Sequence, residues 1–156
     1  MKLTNFTDYS LRVLIYLASQ PQRRTTIAEV ACAFDVSENH LTKVVHFLAK
    51  QGWLSTARGR GGGITLGMPA GKVAVGQVVR ATEGEAMPAE CFGEHSQACC
   101  IASVCALRGV LQEAVASFYA ALDKYTLADL TRNAPTLVAV LHMRPLKESG
   151  RAVRAS

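Results

Sequence analysis

The sequence predicts a mainly α-helical fold that carries one small β-hairpin and continues into a long amphipathic helix. Three observations lead to this prediction. Apolar residues recur with helical spacing in three segments of the first 51 residues. Two strand-like runs then flank the glycine-rich stretch Gly59-Arg-Gly-Gly-Gly63. Finally, apolar residues recur every three or four positions from Val104 to Tyr125, which corresponds to roughly 30 Å of helix.

The first three helices are recognised by their start signals. Asp8 suits the first turn of the first helix, which Thr4 or Thr7 can cap. Thr26-Ile-Ala-Glu29 is a capping-box pattern that opens the second helix, and Ser37 is the expected cap of the third. The three helices are predicted over residues 7–18, 27–34 and 38–51. The short turn between the second and third predicts a helix-turn-helix.

The third helix has the two faces expected of a DNA-recognition helix. Its apolar stripe contains Leu41, Val44, Val45 and Leu48. The opposite face presents residue types that can reach base edges or phosphates, namely Asn39, His40, Thr42, Lys43 and His46. Thr26 and Ser37, at the starts of the second and third helices, complete the candidate contacts of this unit. For His40 and His46, a solvated helix face is the simpler interpretation.

The hairpin after this helix resembles the wing of a winged helix in its position and composition. Its strands are predicted over residues 53–58 and 64–67, and Arg58 and Arg60 flank and occupy the glycine-rich tip. Glycines let a tip enter a narrow minor groove, where arginine is favoured electrostatically. A nucleotide-phosphate loop is the alternative, but no Gly-Lys-Ser/Thr follows and the tip leads into a strand.

The excess positive charge is confined to the first half of the chain. Residues 1–72 contain nine Lys and Arg residues against four acidic residues, whereas residues 73–156 contain eight of each kind. This asymmetry indicates that the first half contacts a polyanion, although a merely basic surface is the plain alternative.

Composition and length indicate a cytoplasmic globular protein. With 49% hydrophobic residues, the 156-residue chain can bury a core. It has no apolar run of roughly 18 residues, and its N-terminus lacks a signal-peptide pattern. Thiols stay reduced in the cytoplasm, so clustered cysteines are favoured as ligands or reactive groups over disulfides.

Beyond the hairpin, the chain is predicted to contain a further helix, a polar linker, a cysteine-rich loop and a dimerisation element. A helix is expected over residues 73–82, and a capping pattern at Thr126-Leu-Ala-Asp129 opens a short helix. The long apolar seam favours a dimer interface, with packing inside one chain as the alternative. The predicted organisation is a DNA-binding domain (1–83), a cluster-binding loop (84–103), a dimerisation region (104–135) and a flexible tail (136–156).

Four of the five cysteines fall within 15 residues, at positions 91, 99, 100 and 105. Clustered thiolates favour a soft or borderline metal, and Cys105 lies near a helix N-terminus that favours the thiolate. A zinc site that adds His95 is the alternative, and thiol catalysis lacks an identifiable general base. The residue pattern does not distinguish an iron–sulfur cluster from zinc. Cys32 lies on an apolar background and is predicted to be an inert core thiol.

Five stretches together resemble the bacterial iron–sulfur winged-helix repressors, and are most similar to their nitric-oxide-sensing branch. The stretches are residues 3–18, 36–45, 58–67, the cysteine loop and residues 122–130. The resemblance implies a homodimer with an iron–sulfur cluster, [4Fe-4S] in preference to [2Fe-2S]. It implies Cys91, Cys99 and Cys105 as ligands, with Asp8 of the partner subunit as the fourth.

Two features near the cysteines bear on the resemblance. One separates two branches of the family, and the other is a difference between this chain and the family. The branch that regulates iron–sulfur biogenesis has a histidine three residues after its last cysteine, where this chain has Arg108. The gap between Cys91 and Cys99 is longer than is usual in the family, and the adjacent Cys100 competes with Cys99 as the middle ligand.

The resemblance implies a transcriptional repressor, not an enzyme, that binds a pseudo-palindromic operator in double-stranded DNA. Nitric oxide would be the signal, and no membrane association is expected. A carboxylate holds iron less firmly than a thiolate does, so an Asp8 bridge between subunits would be sensitive to a small ligand. Two alternatives remain, an iron or redox sensor of the same fold and a zinc-stabilised DNA-binding protein without sensing.

Overall fold

The computed structural model describes residues 2–84, 101 and 104–142 of the chain. Three helices come first, a β-hairpin follows them, and the remaining elements are helical. In chain order, the elements are α1 (Asn5–Ser19), α2 (Ile27–Phe34), α3 (Glu38–Lys50), β1 (Leu54–Ala57), β2 (Gly63–Leu66), a 3-10 turn (Ala70–Lys72), α4 (Val75–Glu83), α5 (Ala106–Leu122), α6 (Leu127–Leu130) and α7 (Ala134–His142). The predicted fold class, mainly α with a small β-hairpin wing, is confirmed.

Local capping explains where the first helices begin. Thr4 caps α1 by accepting a hydrogen bond from the Thr7 amide at 3.2 Å, so the helix starts two residues earlier than predicted. Thr26 and Glu29 form the predicted capping box of α2, whose bounds match the prediction. Ser37 occupies the N-cap position of α3, but its side chain makes no capping hydrogen bond. The prediction that the Ser37 side chain caps this helix is therefore wrong.

The two strands form an antiparallel hairpin that is joined to the start of α2. Leu54 pairs with Leu66, and Ala57 pairs with Gly63 at the tip end. Thr25 and Ile64 add an isolated bridge in which both amides donate, at 3.1 and 2.7 Å. A Cβ atom at Gly63, where φ is 146°, would lie 2.6 Å from the Thr25 carbonyl oxygen. Glycine at this position thus allows the hairpin to approach the helix-turn-helix.

The core lies where α1 crosses α2 and α3. Val13 and Leu14 of α1, Val30 of α2 and Leu48 of α3 are completely buried. Trp53, Leu54 and Ile64 extend this core to the hairpin, and Leu127 extends it to α6. The buried stripe predicted for α3 is confirmed, because Leu41, Val44, Val45 and Leu48 are all buried.

A short antiparallel bridge joins the start of α4 to the start of α6. The Val75 amide donates to the Tyr125 carbonyl, and the Leu127 amide donates to the Val73 carbonyl, both at 2.9 Å. Because Val73 and Ala74 are extended in this bridge, α4 begins at Val75 instead of at Val73 as predicted. Thr126 and Asp129 form the predicted capping box of α6.

Helix α5 is attached to the rest of the described chain mainly through its C-terminal end. Arg80 of α4 donates two hydrogen bonds to the carboxylate of Asp123, at 2.7 and 2.6 Å. The Arg80 guanidinium also lies 4.5 Å from the centroid of the Tyr119 ring. Hydrogen bonds from Arg80 hold the pKa of Asp123 below its ordinary value. No residue of α5 is buried within the described chain.

Helix α7 corrects the predicted flexible tail. That tail was expected from residue 136, whereas residues 134–142 are helical and contact α1 and α2. Pro135 is compatible with this helix because it lies in the first turn, where no backbone amide is required. The remainder of the predicted tail lies outside the described residues. None of the helices in the described part of the chain is long and apolar enough to span a membrane.

Two helical glycines allow a matched test of how α4 packs against α5. We expect Gly76→Ala to lower the free energy of unfolding by about 1 kcal/mol, because the new methyl group would overlap Asp123. A Cβ atom at Gly76 would lie 2.0 Å from Oδ1 of Asp123 and 3.1 Å from its backbone nitrogen. Gly109→Ala in α5 meets nothing within 4 Å, and should raise the free energy of unfolding by about 1 kcal/mol.

Urea unfolding of both variants at one protein concentration measures this pair of changes. If both alanines stabilise the protein to the same extent, the close packing of Gly76 on Asp123 is wrong.

Candidate nucleic-acid interface and metal-ligating residues

Helix α3 presents a polar face whose side chains are free of the core. Ser37, Asn39, His40, Thr42, Lys43 and His46 are all exposed. The Thr42 hydroxyl donates to the Glu38 carbonyl at 2.8 Å, so its oxygen can still accept a hydrogen bond. The His40 ring stacks on Tyr9 of α1, with ring centroids 6.4 Å apart. This stacking restricts His40 more than a solvated position would.

Thr26 has a structural role that its exposure alone does not reveal. Its hydroxyl and its amide donate to Glu29 at 3.1 and 2.7 Å, and the hydroxyl accepts from the Glu29 amide at 3.2 Å. Burial raises the pKa of Glu29, but hydrogen bonds from Thr26 and the charge of Arg23 outweigh it, so the pKa lies below its ordinary value. Thr26 therefore positions the start of α2 and leaves little hydrogen-bonding capacity for DNA.

The wing presents two arginines at its tip. Arg58 and Arg60 are exposed, and Gly59 and Gly61 beside them adopt positive φ angles of 89° and 79°. Only glycine adopts such angles without strain, so this turn depends on its glycines. Neither arginine, nor Lys43 of α3, forms an ion pair with another residue of the described chain. These three positive charges are available to a polyanion.

The predicted metal ligands are only partly within the described residues. Cys105 is half-buried at the N-cap position of α5 and forms no disulfide. Cys91, Cys99 and the competing Cys100 lie outside the described residues. Among the residues that are described, no group of three His, Cys, Asp or Glu side chains is close enough to hold a metal ion.

Asp8 lies in the first turn of α1, as predicted, and its side chain is 44% exposed. Arg12 of the same helix holds both of its oxygens, through Nε at 3.1 Å and through an Nη atom at 2.8 Å. The Arg12 guanidinium is itself 5.7 Å from the centroid of the Phe34 ring. The sequence interpretation missed this ion pair, although its i, i+4 spacing is a recognisable helical pattern.

Cys32 differs from the expected inert core thiol. It is half-buried in α2 and lines a cavity of about 210 Å³ together with Tyr16, Glu29 and His142. The wall formed by α7 was not predicted, which explains why sequence interpretation did not identify this cavity.

Comparison with known proteins agrees with this architecture. A family model described as Rrf2, iron-dependent transcriptional regulator, matches residues 3–133. The chain is 47% identical over 145 residues to the HTH-type transcriptional regulator NsrR of Bacillus subtilis, covering 92% of this chain and 99% of the relative. It is 44% identical to the HTH-type transcriptional regulator NsrR of Geobacillus kaustophilus, with the same two coverages.

Solved structures of related regulators have the same fold. T. potens IscR superposes with a TM-score of 0.69 at 22% identity, covering 86% of this chain and 88% of that one. CymR of B. subtilis, called the global cysteine regulator, has a TM-score of 0.65 at 27% identity, covering 85% and 98%. The NsrR relatives are HTH-type transcriptional regulators and not enzymes. The chain belongs to the Rrf2 family of transcriptional regulators.

Proposed function

We propose that the protein is a homodimeric transcriptional repressor whose iron–sulfur cluster senses nitric oxide and controls binding to a pseudo-palindromic operator. The observation that carries the DNA-binding part is a set of three exposed charges on α3 and the wing that form no ion pair with any described residue, namely Lys43, Arg58 and Arg60. Lysine and arginine at such positions neutralise phosphates, and arginine in a wing suits the minor groove. Asn39 and Thr42 are the candidates for contacts with base edges.

The homodimer is supported by the apolar surface of α5. Val104 just before the helix is 82% exposed, Leu107 and Val110 within it are each 60% exposed, and no residue of α5 is buried in the described part of the chain. Contiguous apolar surface of this kind is typical of an interaction site. A second copy that covers it would place two recognition helices at a defined separation, as half-sites about 34 Å apart require.

The proposed cluster ligands are Cys91, Cys99 and Cys105 of one subunit and Asp8 of the partner subunit. The donor types suit iron, because thiolates bind it strongly and a carboxylate supplies a harder, weaker ligand. Cys105 at the start of α5 and Asp8 in α1 are both partly exposed, so their donor atoms are accessible to a metal ion. A bound cluster, [4Fe-4S] in preference to [2Fe-2S], supplies iron that reacts with nitric oxide.

The first turn of α1 connects Asp8 to the recognition helix. Phe6 packs edge-on against Phe47 of α3, with ring centroids 5.3 Å apart, and Tyr9 stacks on His40. These aromatic contacts lie on both sides of Asp8 in the sequence. Any displacement of Asp8 is therefore transmitted to α3, which changes the separation of the two recognition helices. Loss of the ligand bond to Asp8 would in this way abolish specific binding.

The colour of the protein tests this proposal. We expect wild-type protein purified without oxygen to be brown and to lose its visible absorbance and its operator binding together when nitric oxide is added. Cys105→Ala should be colourless, because it removes a thiolate ligand. Cys32→Ala is the matched control, and should keep both the colour and the response.

Other outcomes favour other functions. A colourless protein that contains one zinc ion per subunit favours the zinc-stabilised alternative. A brown protein whose operator binding follows iron supply or redox potential but ignores nitric oxide favours the iron or redox sensor. An Asp8→Ala protein that keeps its absorbance and responds to nitric oxide like wild type contradicts the role of Asp8.

A further inference from the structure

Glu83, the last residue of α4, reaches the first turn of α1 across a sequence separation of 79 residues. Its Oε1 atom accepts a hydrogen bond from the Thr4 amide at 2.8 Å and another from the Thr4 hydroxyl at 3.0 Å. Thr4 is the N-cap of α1, so the carboxylate lies at the positive end of that helix. Glu83 thus binds the helix that carries Asp8.

A second contact runs beside the first. The hydroxyl of Thr7, which is completely buried, donates to the Thr82 hydroxyl at 2.9 Å. Thr82 in turn donates to the Val78 carbonyl at 2.8 Å, within α4. Burial raises the pKa of Glu83, but hydrogen bonding at the first turn of α1, where Thr4 is the donor, outweighs this effect, so the pKa lies below its ordinary value. The carboxylate is accordingly ionised and bound at neutral pH.

Helix capping alone does not require this arrangement. Thr4 already caps α1 by accepting from the Thr7 amide, and the Asp8 amide donates to the Thr4 carbonyl at 3.0 Å. The contact from Glu83 is therefore additional to the capping hydrogen bond that the Thr4 side chain makes. It joins the first turn of α1, which contains Asp8, to the end of α4. In the sequence, Cys91 follows α4.

We propose that Glu83 is a positioning residue for Asp8, which holds the first turn of α1 against the end of α4 so that the Asp8 carboxylate is presented to the partner subunit's cluster. This inference rests on the proposed function. In the dimer, each subunit would offer Asp8 to its partner while Glu83 joins that same turn to the start of its own cysteine loop.

Two substitutions of Glu83 test this role, because one changes the length of the side chain and the other changes its charge. Glu83→Asp keeps the charge but shortens the side chain by one methylene, so it no longer reaches Thr4. Glu83→Gln keeps the reach and one carbonyl acceptor. Glu113→Gln in α5 is the matched control, because Glu113 is an exposed carboxylate with no hydrogen bond to the described chain.

The first measurement uses the cluster-free protein and follows amide hydrogen exchange in the first turn of α1. We expect Glu83→Asp to accelerate exchange at residues 7 and 8 by about tenfold, because hydrogen bonds to a charged acceptor are lost. Glu83→Gln should accelerate exchange by less, and the Glu113→Gln control should match wild type.

The second measurement uses the cluster-loaded protein and follows the visible spectrum and the rate of bleaching by nitric oxide. We expect Glu83→Asp to shift the spectrum and the bleaching rate toward those of Asp8→Ala. Glu83→Gln should retain most of the wild-type behaviour. A merely structural role would accelerate exchange but leave the spectrum and the bleaching rate unchanged. That outcome overturns the inference, as does wild-type behaviour of Glu83→Asp in both measurements.

The two proposals fail in different ways. A wild-type protein that holds no cluster overturns the proposed function itself. A wild-type protein that holds a cluster bleached by nitric oxide, together with a Glu83→Asp protein of unchanged spectrum, overturns only the role of Glu83.

Discussion

Replacing Leu107 and Val110 with aspartate should convert the protein into a monomer and lower its operator affinity by about two orders of magnitude. Both side chains are 60% exposed on α5, and burial of such a side chain contributes roughly 1.5–3 kcal/mol. Two carboxylates at these positions would have to be desolvated in the dimer, which is unfavourable. A monomer contacts one half-site and loses the gain from simultaneous binding of two.

Light scattering after gel filtration measures the mass, and fluorescence anisotropy measures the affinity for a duplex selected from random DNA by the wild-type protein. The matched control replaces Ala116 and Ala120 with aspartate. Both alanines are exposed on α5, away from the apolar seam, and their replacement adds the same charge as the first pair of substitutions. A dimer that persists in the Leu107 and Val110 variant would assign the apolar surface of α5 to a different partner.

Replacing Arg58 and Arg60 with alanine should weaken DNA binding by roughly tenfold to a hundredfold near 0.1 M salt. Both arginines lie at the wing tip without an acidic partner in the described chain. If each neutralises one phosphate, the slope of log affinity against log salt should become shallower by about two. Because this term depends on phosphates, non-specific DNA should show the same change in slope.

Anisotropy titrations at several salt concentrations measure the slope for the selected duplex and for a scrambled one. Lys124→Ala combined with Arg132→Ala removes the same charge from the α5–α6 end of the molecule, where both side chains are exposed. This control should leave the slope unchanged. An unchanged slope in the wing variant, with a changed slope in the control, would place the DNA-binding surface elsewhere.

Sequence patterns predicted the elements that depend on neighbouring residues. The capping boxes of α2 and α6 were correct because each joins residues only three positions apart. The hairpin was recognised because turn glycines and alternating strands are local features, and its glycines at 59 and 61 do adopt positive φ. The buried stripe of α3 was likewise correct, since helical periodicity determines which side chains share a face.

The candidate DNA-contacting surface was predicted in part. The exposed positions of Asn39, Lys43, Arg58 and Arg60 follow from amphipathicity and turn position. The stacking of His40 on Tyr9 could not be predicted from the sequence, because this ring contact depends on how α1 crosses α3. Of the proposed metal ligands, the residue types and spacing are sequence features, and their assembly across a dimer remains a proposal.

What the amino-acid order alone established was therefore helices α1 to α6, the wing, the charged face and the thiol-rich segment, all of which arise from interactions within a few residues. It did not reveal α7, the bridge between Ala74 and Thr126, or the contact between Glu83 and Thr4. Those features depend on packing between elements as many as 79 residues apart, which no local spacing rule encodes. Helix α4 brings Glu83 to Thr4 because α4 packs against α1 in the tertiary structure.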